Sequence, residues 1–449
     1  MYILLNFIIS KVKFSMNRNF AVLLMVLLFN MGIYSEVYSS EIVLNTCSQS
    51  DVNSAILSAA DGDTIICPAG NWIWSAPVSI NNKNITLKGA GKDQTTISIA
   101  LAGGLNVPQT NTKAFRVTGF TFRSTINIGT DSGYAMIRIY GGEGWRIDNN
   151  KIKIYSNVLS YSGGNGIYTK NAIGGLIDHN DFTDEETSTN CWHAAVYPEG
   201  AGANAWSWGS QIGNPNNTVF IENNTFTEAR QCSAHNPHAV YGQNGGIFVA
   251  RHNTITNVNI DAHGFCATYG TREYEISNNN WIITTGRSIH RLIYLRGGTG
   301  VVHNNTLTLQ GTGTATYGID LTDYRMTAAS QCSDVTQSGI KANTCCSANE
   351  GYPCIDQIGR GQNQVLDPLY IWNNTNFLAT IVSNVGSECG SNTSGSIQLS
   401  RDYFTGVIKP GYIAYQYPHP LTGDPCVENC SAGQNFVHIP NPPIIDQIK

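Results

Sequence analysis

Asp261-Ala262-His263 sets a carboxylate and an imidazole two residues apart, the spacing that puts both side chains on one face of an extended strand. An imidazole oriented by a carboxylate can accept a proton near neutral pH, which makes His263 the candidate general base and Asp261 its orienting partner. Arg296 and Lys170 are the candidate cations. Beside a carboxylate-bearing substrate they would neutralise its charge and acidify the adjacent C–H, and either could act as the base instead. Arg287, His290 and Arg291 add positive charge close to Arg296. Tyr168, Tyr197, Tyr241 and Tyr294, with Glu199, Gln243 and Asp320, are the candidate substrate-binding residues, because rings offer apolar platforms to sugar faces while polar groups grip hydroxyls and carboxylates. The competing account of the tyrosines is a ladder that steadies a sheet by stacking between strands, with solvated charges beside it.

A repeated phrase is what could bring these residues together. Asp148-Asn149-Asn150 returns as Asp178-His179-Asn180, Glu222-Asn223-Asn224, Arg251-His252-Asn253, Ser277-Asn278-Asn279 and His303-Asn304-Asn305, with steps between the last Asn of each copy of 30, 44, 29, 26 and 26 residues. A period in the high twenties, with one insertion, is the mark of a solenoid. Each copy offers Asn where a chain must turn through left-handed φ/ψ, and an apolar or β-branched residue follows to open a strand. No helix-length apolar period intervenes, so the coil is a β-helix. Stacking the coils gives an inward apolar parity of Ile137 and Ile139, Ile167, Val196, Val240, Ile260 and Ala262, Ile293 and Leu295, Ile319 and Leu321. The outward parity then stacks Tyr140, Tyr168, Tyr197, Tyr241, Asp261, Tyr294 and Asp320 in one column, and Lys170, Glu199, Gln243, His263 and Arg296 in the next.

Val52, Ala55, Ile56 and Ala59 fall at helical spacing behind Ser50 or Asp51 as N-cap, so residues 51–60 read as a short helix closing the first coil and hiding its edge. Strands at Thr64–Cys67, Val78–Ile80 and Ile85–Leu87 follow. The arrangement from Asp51 to Leu87 resembles the N-terminus of the right-handed parallel β-helix superfamily typified by pectate and pectin lyases, and the likeness runs as a pattern of coils over roughly residues 45–325. It implies an all-β, single-stranded right-handed parallel β-helix with a short N-terminal capping helix. Leu176-Ile177-Asp178-His179-Asn180-Asp181-Phe182 is similar to the Trp-Ile-Asp-His segment of pectate lyases, with Leu176 in place of Trp. That likeness implies Asp178 as a Ca²⁺ ligand, joined by Asp184, Glu185 or Glu186. The competing account is a plain turn, since Asp148 and Glu222 hold the same place in other coils. His193 and His238 head two similar strands, and coincidence arising from the repeat accounts for them without a metal.

Arg18 precedes the apolar run Ala21–Phe29 and the small residues Tyr38-Ser39-Ser40, so residues 1–40 read as a secretory signal, with Met16 as an alternative start. The run is too short for a bilayer span of about 20 residues, and no stable membrane insertion is expected after its removal. All 12 cysteines follow the leader, an even number that points to disulfides in an exported chain. Cys47 and Cys67 bracket the capping helix and are the one pair assigned, while seven cysteines crowd the region from Cys332 onward. The leader carries a net +2, so the whole-chain −5 becomes −7 in the mature chain, which disfavours a nucleic-acid partner. Residues 41–325 form the β-helix, 326–406 an irregular Cys-rich insertion with the last coils around Tyr370–Thr375, and 407–449 a Pro/Tyr-rich tail packed outside.

These features predict an exported protein with a polysaccharide partner, acting on an acidic, uronate-containing polymer by β-elimination. A non-catalytic extracellular structural, self-associating or glycan-binding protein is the first alternative, and a glycoside hydrolase the second. Hydrolysis needs carboxyl groups about 5.5 Å apart for retention or about 6.5 to 9.5 Å for inversion. Glu199 and Asp261, like Asp261 and Asp320, fall two coils apart at about 10 Å. The adjacent Asp-Asp pair of polygalacturonase-like hydrolases is absent.

Overall fold

A computed structural model describes residues 39–128, 134–157, 164–171, 174–230, 232, 237–264, 269–322, 356–383 and 397–424. Residues 1–38, most of the segment expected to be a secretory signal, lie outside these residues, as do Cys266, the seven cysteines from Cys332 onward and the end of the tail from 425. Among the described residues no helix is long and apolar enough to cross a membrane.

Three parallel sheets of 12, 10 and 9 strands run the length of the described chain, each strand pairing with the equivalent strand one coil away. Sheet 1 holds Trp145–Asp148, Gly175–Asp178, Val219–Glu222, Ile247–Arg251, Glu273–Ser277 and Thr299–His303. Sheet 2 follows each Asn turn with Lys151–Ile154, Asp181–Asp184, Thr225–Thr227, Thr254–Thr256, Asn280–Ile283 and Thr306–Leu309. Sheet 3 closes the coil with Asn165–Lys170, Ala194–Glu199, His238–Gly242, Asn259–Ala262, Ser288–Leu295 and Thr314–Thr322. This is a parallel β-helix, whose connections take the right-handed course that twisted strands favour. The late phrase at Tyr370 is a true coil, since Tyr370, Ile371 and Trp372 pair with Val301, Val302 and His303.

The interior is built from columns of like residues. Phe122, Ile152, Phe182, Phe226, Ile255, Trp281 and Leu307 stack along sheet 2, and Ile137, Ile167, Val196, Val240, Ile260, Ile293 and Ile319 along sheet 3. All are buried. Each such side chain contributes about 1.5–3 kcal/mol by leaving water.

The Asn doublets divide two tasks between their members. The first residue takes left-handed φ: Asn149 53°, His179 54°, Asn223 55°, His252 57°, Asn278 55° and Asn304 54°. The second points inward and forms an unbroken ladder, Asn150 to Asn180 (3.1 Å), Asn224 (3.0 Å), Asn253 (3.1 Å), Asn279 (2.9 Å), Asn305 (3.0 Å) and Asn374 (2.8 Å). The same amides also satisfy backbone carbonyls left over by the turn, as Asn224 does for Ile177 (2.8 Å) and Glu222 (3.0 Å).

At the N-terminal end, helix α1 spans Gln49–Ser58 and buries Val52, Ala55 and Ile56. It begins two residues before the expected start, because Ser48 rather than Ser50 or Asp51 caps it, its hydroxyl accepting from the Asp51 amide at 3.2 Å. Cys47 and Cys67 form the expected disulfide. A second bridge, Cys191–Cys232, joins the sheet 2 to sheet 3 connections of neighbouring coils. Nothing in the cysteine spacing marked that pair.

Residues 407–424 lie along the outer face of sheet 1. Arg146 donates to the carbonyls of Leu421 (3.0 Å) and Thr422 (3.2 Å), and Arg251 to those of Tyr415 (2.6 Å) and Gln416 (2.7 Å). Tyr415 packs on Phe220 and Tyr417 stacks on His252 with centroids 3.7 Å apart.

Beside the second disulfide, buried Glu228 is held against Asp184, and burial followed by that neighbouring carboxylate pushes its carboxyl up to about 9. The group is therefore protonated in the folded protein at neutral pH and ionised in the unfolded chain. Its contribution to stability is fully present below about pH 4.5 and is lost as pH rises toward about 9. Glu228→Gln, which copies the protonated form, is expected to raise the unfolding free energy at pH 8 by roughly 1–3 kcal/mol, read as a higher denaturation midpoint, and to flatten the pH dependence above 5. A midpoint at pH 8 unchanged or lowered would show that Glu228 is not held protonated.

Candidate functional site

The expected constellation lies on the outer face of sheet 3. Tyr168 pairs with Tyr197, Tyr241 with Asp261, Asp261 with Tyr294 and Tyr294 with Asp320, while Lys170 pairs with Glu199 and Glu199 bridges to Gln243. One expected neighbour is displaced. Ile137 pairs with Ile167, so Arg138 stands beside Tyr168 and Tyr140 moves on by two residues. Inward parity survives a two-residue offset, which is why the apolar pattern alone did not reveal it.

Asp261 and His263 sit on consecutive outward positions, and Arg296 arrives from the next coil. Arg296 Nη2 donates to Asp261 Oδ2 at 2.7 Å, and His263 Nδ1 lies 3.5 Å from the same oxygen. Gly264 permits this closeness: a Cβ there would fall 2.6 Å from the Arg296 carbonyl oxygen. Asp261 is fully buried, yet although burial opposes ionisation, Arg296 and then His263 hold its carboxyl down to about 2. His263 moves down to about 4, chiefly through burial and then through the Arg296 charge. At neutral pH the site therefore holds a neutral imidazole, an ionised carboxylate and a guanidinium.

The rest of the face is closely bonded. The Tyr168 hydroxyl donates to Glu199 Oε2 (2.6 Å) and that of Tyr197 to Gln243 Oε1 (2.5 Å), while Lys170 meets Glu199 at 3.1 Å. Burial, then the Glu199 charge, pushes the Tyr168 phenol well above its usual range. Tyr294 lies between two guanidinium groups, Arg296 at 4.1 Å and Arg291 at 4.2 Å, and Arg291 is ion-paired with Asp320. The tyrosines were expected to form an open platform. Their exposures are 1% for Tyr168, 3% for Tyr197, 6% for Tyr241 and 5% for Tyr294, and Tyr168, Tyr197 and Tyr241 meet edge to face. The half-buried rim consists of Lys170, Gln243 and Arg291.

Two residues discounted from the sequence belong here. His193 and His238 both face Tyr241, with centroids 4.6 Å and 5.0 Å away, and His263 lies 4.5 Å from the same ring on another side. Asn165 Oδ1 meets His193 Nδ1 at 3.0 Å and Asn259 Oδ1 meets His238 Nδ1 at 2.5 Å. Strict alternation would have buried His238 with Val240. A register shift between them instead turns Ala239 and Val240 both into the core and leaves His238 on the side of Tyr241. Arg287, by contrast, turns away and donates to the Ala229 carbonyl at 2.9 Å.

The proposed Ca²⁺ ligands do not converge. Asp178 is on sheet 1, where Arg146 (2.9 and 2.7 Å) and His179 (2.7 Å) occupy its oxygens, and Asp184 is on sheet 2 beside Arg230 at 2.7 Å. These donors are cations or hydrogen-bonding nitrogens, so the residues present do not fit a hard divalent ion at Asp178. Among the described residues the one cluster with metal-like spacing, Cys191, Glu228 and Cys232, has its sulfurs joined in the disulfide.

No protein family matches the chain. No curated protein matches it either. Among solved structures it is similar to a PL6 family polysaccharide lyase from Pseudopedobacter saltans at 14% identity and a TM-score of 0.35, over 88% of this chain and 97% of that one. It is similar to the catalytic domain of a GH87 α-1,3-glucanase in complex with tetrasaccharides at 10% identity and 0.37, over 82% and 68%. A pectin methylesterase in complex with a hexasaccharide follows at 11% and 0.33, over 60% and 78%. The fold assignment stands on this chain's own strand pairing.

Proposed function

We propose that this chain is an exported enzyme acting on a polysaccharide at the outer face of sheet 3, by β-elimination from a uronate-containing polymer. The observation that carries this is the meeting of His263, Asp261 and Arg296 beside Tyr241, with a neutral imidazole held near a carboxylate that a guanidinium keeps ionised. His263 removes the proton α to the uronate carboxylate, Asp261 orients the ring and Arg296 meets that carboxylate's charge, while Lys170, four coils from Arg296 and so about 19 Å along the sheet, meets another residue of the polymer. A base this weak needs that charge neutralised before the C–H is acidic enough to lose. The polymer first touches the rim of Lys170, Gln243 and Arg291, and Tyr168, Tyr197, Tyr241 and Tyr294 line the face beneath.

One observation favours the non-catalytic alternative. Lys170, Arg291 and Arg296 each already carry a carboxylate partner, Glu199, Asp320 and Asp261 respectively, so a uronate must compete with ion pairs whose carboxylates are buried. A closed face of this kind also suits a rigid structural or glycan-binding solenoid. Incubation of the mature protein with pectate, alginate, glycosaminoglycans and neutral glycans, following unsaturated uronate absorbance and reducing ends together, separates the cases. Both signals rising supports elimination and names the substrate. Reducing ends alone would replace it with hydrolysis, and silence on every polymer would leave the non-catalytic reading.

A further inference from the structure

The tail segment 407–424 is held to sheet 1 at two places, by Arg251 on the carbonyls of Tyr415 and Gln416 and by Arg146 on those of Leu421 and Thr422. His419 lies between these anchors, buried, with its ring on Phe220 at 4.6 Å and on Tyr415 at 5.3 Å. It caps the short helical turn Pro420–Thr422: Nδ1 accepts from the Leu421 amide at 3.2 Å, and the His419 carbonyl accepts from the Thr422 amide and hydroxyl, both at 2.9 Å. Its own amide donates to Glu222 Oε2 at 3.2 Å. A ring nitrogen that accepts carries no proton, so this geometry requires the neutral imidazole. Protonation would set two donors against each other and add a positive charge beside two guanidinium groups.

We infer that His419 is an acid-sensitive latch, whose protonation releases residues 415–423 from the outer face of sheet 1. Release uncovers Leu176, Phe220 and Val249, an outward apolar stripe on three consecutive coils that Tyr415 and Leu421 cover. Burial, then the Arg251 charge, push the His419 ring down to about 3. The held segment thus keeps the ring neutral where a released one titrates near 6.5, so the hold is complete above about pH 6.5 and is lost as pH falls toward about 3. The charged groups facing His419 come from four coils of sheet 1, Arg146, Asp178, Glu222 and Arg251, with His179 and Asp424 one contact further on at Asp178 and Arg146. Burial opposes ionisation of Asp178, but His179 and Arg146 hold its carboxyl down, and both stay in place when the segment leaves. Burial pushes the Glu222 carboxyl up, so Glu222 favours the held form in acid and works against the latch.

Amide exchange of the purified protein between about pH 6 and pH 4, resolved by peptide and corrected for intrinsic rates, tests this. Protection of residues 415–423 should fall by about tenfold per pH unit, the slope of one proton taken up on release, while protection of the sheet 1 strands beneath changes little. His419→Asn keeps a side-chain oxygen for the Leu421 amide and cannot be charged, so its slope should be shallower than wild type by about tenfold per unit. Protection of the wild-type segment that does not change with pH overturns the inference, as does a slope in His419→Asn equal to that of wild type. Equal loss of protection in the segment and in sheet 1 would also overturn it, because that is acid unfolding of the whole coil rather than release of a latch. The wild-type slope decides on its own should His419→Asn fail to hold the segment at pH 7.

Discussion

His263→Ala is expected to lower kcat/KM on the uronate polymer by about 10² to 10⁴-fold, the range that removal of a positioned general base produces. The loss should come with an unusual pH profile in the parent protein. His263 is held down to about 4 by burial and by Arg296, and the proposed mechanism uses the neutral imidazole. The acidic limb of kcat/KM should therefore fall near pH 4 rather than near the ordinary histidine value, with activity level from about pH 5 through neutrality. Asp261→Asn removes the carboxylate while leaving Arg296 in place, so the imidazole loses its orienting partner but remains neutral. That variant should lose activity without moving the limb upward. Wild-type activity in His263→Ala, or a limb near 6.5, would remove His263 from the mechanism.

Arg251→Ala should give the largest loss of stability, about 3–5 kcal/mol, because it leaves a buried carboxylate without its cation. Arg251 is 2% exposed and Glu222 is fully buried, joined through bonds of 2.9 and 2.7 Å to one carboxylate oxygen. Burial pushes the Glu222 carboxyl up even against that charge. The same guanidinium also ties down Tyr415 and Gln416, so the variant should become sensitive to proteolysis within 407–424 as well as shifting its denaturation midpoint. Pairing it with Glu222→Leu should recover much of the midpoint while the tail stays loose. An unfolding free energy within about 1 kcal/mol of wild type for Arg251→Ala alone would show that the pair is solvated.

The architecture was legible because the turn residues repeat and the apolar parity repeats with them. Asn150, Asn180, Asn224, Asn253, Asn279 and Asn305 mark the coils in the sequence and form the ladder in space. The candidate site was legible as far as alternation held, which brought Asp261, His263 and Arg296 together. Where alternation fails, so did the sequence reading: a bulge carries His238 outward, and an offset of two residues puts Arg138, not Tyr140, in register with Tyr168, although the Tyr140 ring still meets Tyr168 edge to face at 5.7 Å. Burial of the tyrosine column was beyond reach for another reason. Parity says which side of a sheet a ring faces, and only tertiary packing says whether water reaches it.

The extra length in the step from Asn180 to Asn224 enters at one corner. Residues 200–218, including the short helical turn Gly202–Ser207, connect sheet 3 to sheet 1 where the next coil needs only 243–246. The Asn corner keeps a two-residue turn, one Asn or His in left-handed φ and one Asn in the ladder, in every copy from Asp148 to Asn305. Editing of the gene is thus tolerated unevenly around each coil. Codons can be added at the sheet 3 to sheet 1 corner without moving any strand out of register, since loop closure grows only slowly more costly with length. A single codon lost from an Asn corner would reverse the two faces of the strand that follows. Variation in loop length can accumulate beside the candidate site while the scaffold beneath it is held to a fixed count.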